Sequence, residues 1–302
     1  MRLSHSVSCF LVLFPLMAAA VGPFPGAAGQ PGSTAIARNS GAFVAWADRV
    51  VEFLPGEALS EEWRDTSRAL GPASGEIMDV VALGRGGSLT LGMALPIIDR
   101  RGPDFAVFGN AFSDFFLELA FVEVSSDGVH FVRFPNTSLT AAPIPAFGIL
   151  DPTQVDGFAG KYRVGWGVPF DLADLRGLPG AEQLDFENVR YVRLVDVVGG
   201  INPAVTALPQ STDSAGRPIY DPFPTTGSAG FDLDGVGVFH PAVRIGTDAH
   251  GLFLEWRQAP GDGGFQLLRS SDLRTWTPPP PPPRSTPPPP QPSLGGGGGR
   301  GG

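Results

Sequence analysis

Asp104-Phe-Ala-Val-Phe-Gly-Asn-Ala-Phe112, followed by Leu117-Glu-Leu-Ala-Phe-Val-Glu-Val-Ser-Ser-Asp-Gly-Val-His-Phe-Val-Arg-Phe134, decides the fold. Phe105 to Phe108 is apolar at both parities, which suits a strand covered on both faces. From Glu118 to Val124 the run is β-branched and aromatic, with carboxylates only at its start and at Glu123. Ser126-Asp127-Gly128 carries turn chemistry, since Asp bonds nearby backbone and Gly accepts a positive φ. Val129 to Phe134 then returns as the partner strand. The pattern predicts antiparallel layers closed over a phenylalanine-rich interior.

The flanking segments extend the same pattern. Val189 to Val198 alternates: Val192, Leu194, Asp196 and Val198 share one parity, and Tyr191, Arg193, Val195 and Val197 the other. Asp196 falls on an otherwise apolar face, so it reads as a buried acceptor of loop N–H groups or of an arginine. Between Ser228 and His240, Phe231 and Leu233 are odd while Val236 and Val238 are even. All four face inward only if a bulge near Gly235 absorbs one residue, which turns Asp232 and Asp234 outward together. Ile77 to Leu83 and Ser88 to Leu95 read as strands around Gly84-Arg-Gly-Gly87. No helix follows those glycines, so they make a hairpin turn and no phosphate cradle. Two long connections, 135–188 and 199–228, carry turn signals and scattered aromatics.

These readings give an all-β chain: an antiparallel β-sandwich with long loops over residues 41–241. A signal peptide (1–20) and a flexible segment (21–40) precede it. A small β-hairpin unit (242–277) and a disordered Pro/Gly-rich tail (278–302) follow it.

The 302 residues carry a formal charge of −9 and one lysine, Lys161. An acidic chain without a basic stripe excludes nucleic acid as a partner, because phosphate neutralisation supplies most of that affinity. Adhesion to anionic lipid is excluded on the same ground. Met1-Arg2 followed by the apolar run Cys9 to Val21, with alanines at its end, has the layout of a secretory leader. It is too short for a membrane span, and no later stretch is long enough for a transmembrane helix. Cleavage would remove Cys9, the single cysteine, leaving no disulfide and no thiol ligand. The expected location is extracellular or at the cell surface.

Several strings resemble a family of bacterial exported cell-surface proteins. They are Gly102-Pro-Asp-Phe-Ala-Val-Phe-Gly-Asn-Ala-Phe112, Glu118-Leu-Ala-Phe-Val-Glu-Val-Ser-Ser-Asp-Gly128, Gly160-Lys-Tyr-Arg-Val-Gly165, Val192-Arg-Leu-Val-Asp-Val197 and Gly230-Phe-Asp-Leu-Asp-Gly-Val-Gly-Val238. Members often end in a Pro-Glu-Pro sorting tail, a motif this chain lacks. The Val-Ser-Ser-Asp-Gly hairpin is similar to the discoidin branch of galactose-binding-like sandwiches, and that resemblance implies a jelly roll. It implies a location and a fold, and no established activity.

Calcium is the metal to expect, because Asp and Asn side chains on loops supply the oxygens it takes. The candidate ligands are Asp104, Asn110, Asp114, Asp232 and Asp234. Arginine pairing and turn bonding are the alternative account of the same residues. Tyr162 and Trp166 are the candidate ligand-binding aromatics, platforms for an extracellular polysaccharide or other surface polymer. No His-x-x-x-His, Gly-x-Ser-x-Gly or P-loop occurs, and Glu118 and Glu123 differ in parity, so no catalytic residue is assigned. The sequence therefore points to a non-enzymatic carbohydrate-binding or adhesion module with a structural calcium. An extracellular glycan hydrolase and a purely structural surface component are the alternatives.

Overall fold

The computed structural model describes residues 22–239 and the strands Val243–Asp248 and Gly251–Trp256. The chain divides into two compact units, Met1–Arg257 and Gln258–Gly302, and all the described residues belong to the first. The expected leader, residues 258–277 of the expected hairpin unit and the Pro/Gly tail lie outside them.

The described residues are all-β, built on two antiparallel sheets. The first runs in the order Ile36–Ala37, Trp166–Phe170, Phe105–Gly109, Asp232–Val238, Ala45–Trp46, and Val81–Ala82 also pairs with Asp232–Val238. The second runs Arg49–Leu54, Ser88–Ile97, Val189–Asp196, Ala120–Ser125, Val132–Arg133. Phe105, Val107, Val168, Leu233, Val236 and Val238 from the first meet Leu89, Leu91, Val122, Val124, Val192 and Leu194 from the second in one core. Phe105 stacks on Phe170 at 5.3 Å, and Phe134 closes edge-on against both rings. Each such fully buried ring contributes on the order of 1.5–3 kcal/mol.

The bulge lies where the parity switch requires it. Leu233 pairs with Gly109 and Gly235 with Phe108, so Asp234 is the extra residue, and Leu233 and Val236 both reach the core. Val189–Asp196 alternates as read, with Val192, Leu194 and Asp196 buried and Tyr191, Arg193 and Val195 half-buried. Arg193 and Arg133, opposite Glu123 on its two neighbouring strands, donate to its carboxylate at 2.6 and 2.8 Å.

Three expectations need correction. Of the return strand Val129 to Phe134, only Val132–Arg133 pairs in the sheet, because the Asp127 carboxylate draws in the Val129 and His130 N–H groups at 2.8 and 2.9 Å. The glycine turn at 84–87 joins Val81–Ala82 in one sheet to Ser88–Ile97 in the other, so it crosses between layers and closes no hairpin. Residues 22–40, expected to be flexible, are stitched onto the sandwich. The N–H groups of Gly22 and Phe24 bond Thr153, Ala27 and Ala28 are buried, and Ile36–Ala37 pairs with Trp166–Phe170. Val243–Asp248 and Gly251–Trp256 pair with each other as an antiparallel hairpin. Among the described residues, no helix is long and apolar enough to cross a membrane.

Candidate functional site

The site forms where Phe105–Gly109 ends beside the start of Asp232–Val238. Their register sets Gly109 opposite Leu233, which brings Asn110 to Asp232. Asn110 Nδ2 donates to Asp232 Oδ2 and to the Ile77 carbonyl, both at 2.9 Å. The chain loops out after Asn110 and returns at Glu118, held by Leu119 N–H on Asp221 Oδ2 and by mutual backbone bonds between Ala120 and Ala159. Gly160 (φ +86°) packs so closely here that a Cβ would stand 1.9 Å from the Glu118 carbonyl oxygen. Only glycine fits.

Glu118 and Asp232 line one void of about 10 Å³ together with Asn110 and Phe116. That is about the room one water or one ion needs. Glu118 also lines a second void of about 10 Å³, with Asp196, Asp221, Thr225 and Arg85. Glu118 Oε1 and Asp232 Oδ1 are shut off from solvent and accept no hydrogen bond. Burial pushes the Asp232 carboxyl up from 3.8 to about 7, against the pull of the Asn110 bond. Burial, then the negative charges of Asp232 and Asp221, hold Glu118 well above the ordinary range. Asp221 is raised by burial and by Asp196. Arg85 is the cation set against this group, and it is already ion-paired to Glu57 at 3.4 Å. Glu118, Asp221 and Asp232, beside an Asp196 whose two oxygens are already bonded by N–H groups, face one committed guanidinium, which disfavours their charged forms unless protons or another cation compensate.

The same loop carries an exposed aromatic surface. Phe116, which lines the first void, stacks between Phe112 at 4.7 Å and Phe147 at 5.6 Å. Phe112 is 57% and Phe147 74% exposed, and Phe115 and Ile149 extend the surface. Phe147 holds φ +60°, a left-handed conformation that costs a bulky residue on the order of 1–3 kcal/mol.

The other candidates from the sequence fall elsewhere. Of the five metal candidates, only Asn110 and Asp232 are brought together. Asp104 is a buried anchor that accepts N–H bonds from Arg100 and Leu172, both 2.8 Å. Asp114 pairs with Arg163 at 2.6 Å. Asp234 accepts from Ser74 and Gly75 N–H at 2.7 and 2.9 Å. Asp232 and Asp234 do leave the inter-sheet core together, but the 74–77 segment and Asn110 cover them, so both are buried. Asp196 is the buried acceptor expected of it, bonded by Gly86 and Phe231 N–H at 2.8 Å each. Tyr162 is buried with its hydroxyl on Thr34 at 2.8 Å, so it offers no platform. Trp166 is half-buried against the core with the Arg163 guanidinium 5.8 Å from its ring.

Among the described residues, Asp99, Asp104 and Asp171 form the one acidic group with carboxylate oxygens within 4.8 Å of one another. It is a knot of loop anchors, with Asp99 paired to Arg176 and Asp171 capping Ala173 N–H at 2.9 Å. Sequence reasoning missed Glu118 as a site residue. The available signal was an acid between Leu117 and Leu119, both fully buried. No family model matches this sequence, and no curated protein matches it.

Proposed function

We propose that this chain is an exported, non-enzymatic binding module of the bacterial cell surface, organised on one buried calcium ion, with an extracellular polysaccharide or similar surface polymer as its partner. One observation carries the reading: two orphaned, buried carboxylate oxygens, Glu118 Oε1 and Asp232 Oδ1, lie beneath the loop that displays Phe112 and Phe115, with the half-buried Phe116 between. Glu118, Asp232 and the side-chain oxygen of Asn110 would supply ligands of the hard type calcium takes. The ion would neutralise the cluster and fix the loop. The exposed rings then give a rigid apolar face of the kind that stacks on sugar rings. Export is supported by the N-terminal apolar run, Cys9 to Val21.

Thermal unfolding of the full chain in millimolar calcium and in chelator tests this reading. Calcium at a hundred times its dissociation constant should stabilise the fold by about 2.7 kcal/mol. An unchanged melting temperature removes the metal. Unchanged polymer binding after Phe112→Ala and Phe147→Ala removes the aromatic face as the binding surface, and no polymer binding by the unsubstituted chain leaves a purely structural component.

A further inference from the structure

We propose a second site, a pocket built around Lys161 that takes a neutral sugar unit. The proposal rests on the reading of this chain as a polysaccharide-binding module and supplies the ligand class which that reading leaves open. The pocket has a volume of about 420 Å³, inside the range of roughly 300–1,000 Å³ usual for small-molecule sites. Phe134, Val168, Pro169 and Phe170 line it with apolar surface, and Lys161, Asn136, Asp156 and Asp174 supply polar groups. It shares no lining residue with the voids at Glu118.

Lys161 is the chain's single lysine and is 2% exposed. Its ammonium donates to Asp156 Oδ1 at 3.2 Å and lies 5.8 and 5.9 Å from the rings of Phe24 and Tyr162. Burying an ammonium costs several kcal/mol, and an apolar side chain of similar length would fill the space without that cost. Asn136 is also buried. Its Nδ2 donates to the Phe134 carbonyl at 3.0 Å while its Oδ1 has no partner. The wall therefore sets a donor-rich ammonium beside carboxylate acceptors, while the unpartnered Asn136 Oδ1 is shut off from solvent behind it.

Charge selects the ligand class. Asp156 and Asp174 set two carboxyl groups beside one ammonium, so acidic groups outnumber the cation in the pocket. Burial and the negative charges of Asp171 and Asp156 already raise the Asp174 carboxyl, so a further anion is resisted. A cation would meet the Lys161 ammonium. A neutral polyol avoids both conflicts: its hydroxyls donate to the carboxylates and accept from the ammonium, and its C–H face lies on the apolar surface.

The test is calorimetric titration of the full chain with neutral hexose, oligogalacturonate and glucosamine oligosaccharides, in calcium and in chelator. Neutral oligosaccharides should bind best, Lys161→Met should weaken them at least tenfold, and the exposed Asp174→Asn should weaken them at least threefold. The Asp174 variant keeps the test open if Lys161→Met does not fold. Preference for the acidic or amino sugars, binding of none, or wild-type affinity in the folded variants overturns the pocket. Sugar binding that survives while calcium leaves the melting temperature unmoved would sink the metal reading alone; sugar binding with wild-type affinity in the folded Lys161 and Asp174 variants would sink the pocket alone, and a calcium-dependent melt without any sugar binding would sink the pocket and the polysaccharide partner together.

Discussion

Asp104 and Asp232 are buried to nearly the same depth, at 0% and 4% exposed, yet their surroundings differ. Each Asp104 oxygen accepts a backbone N–H, so the carboxylate ties the segment at Arg100 to the turn at Leu172. Asp232 has one oxygen on Asn110 and the other on nothing, and Glu118 Oε1 is likewise without a partner beside it. Depth does not separate them; the supply of donors does. A buried acid with its N–H partners is an architectural tie, whereas one with an orphaned oxygen facing another acid across a void is a candidate site.

The largest expected effect tests the first half of that contrast. Asp104→Ala strands two backbone N–H groups and should cost about 3 kcal/mol. For a domain of this size that lowers the melting temperature by roughly 6–12 °C, equally in calcium and in chelator.

A pH series in chelator is next. Asp104 and Asp232 are each raised from 3.8 to about 7 by burial. Between those values the folded state holds protons that the unfolded chain has released, so stability is full below about 3.8, falls as pH rises through 7, and levels above it. Melting temperatures should therefore be higher at pH 5 than at pH 7.5. Saturating calcium should remove the share due to Glu118 and Asp232 and leave that of Asp104. A melting temperature that climbs from pH 5 to 7.5 in chelator would show that these acids are ionised without help.

Glu118→Gln should move in the opposite direction from Asp104→Ala. It relieves like-charge repulsion and should raise stability in chelator by about 1 kcal/mol, while abolishing any calcium response. Calcium-dependent melting that survives this substitution places the ion elsewhere. The smallest effect belongs to the surface. Phe147→Gly releases the positive-φ strain but loses the stack on Phe116, so its melting temperature should change by the equivalent of less than about 1 kcal/mol. Polymer binding measured by pull-down should nevertheless weaken several-fold.

Much of the architecture was legible because period-2 patterning survives without tertiary context. Val189–Asp196 alternates on the page as it does in the sheet, and the parity change between Leu233 and Val236 located the bulge. Local competition was harder to read. Asp127 shortened the return strand by capturing two N–H groups. The candidate site was half legible: Asn110 and Asp232 stood out as oxygen donors near turns, while Glu118 looked like an ordinary strand-start acid. Its partners, Asp196, Asp221 and Asp232, lie 78 or more positions away in the chain.

The sequence alone determined the all-β class, the bulge and the buried acceptor role of Asp196, because each follows from side-chain parity along a single strand. Only the tertiary structure decided which acids are tied off and which face a void. It likewise decided that Tyr162 packs inward while Phe112 and Phe147 stand exposed. Donor supply and solvent exposure are properties of what folds over a residue, and that covering comes from segments remote in the chain.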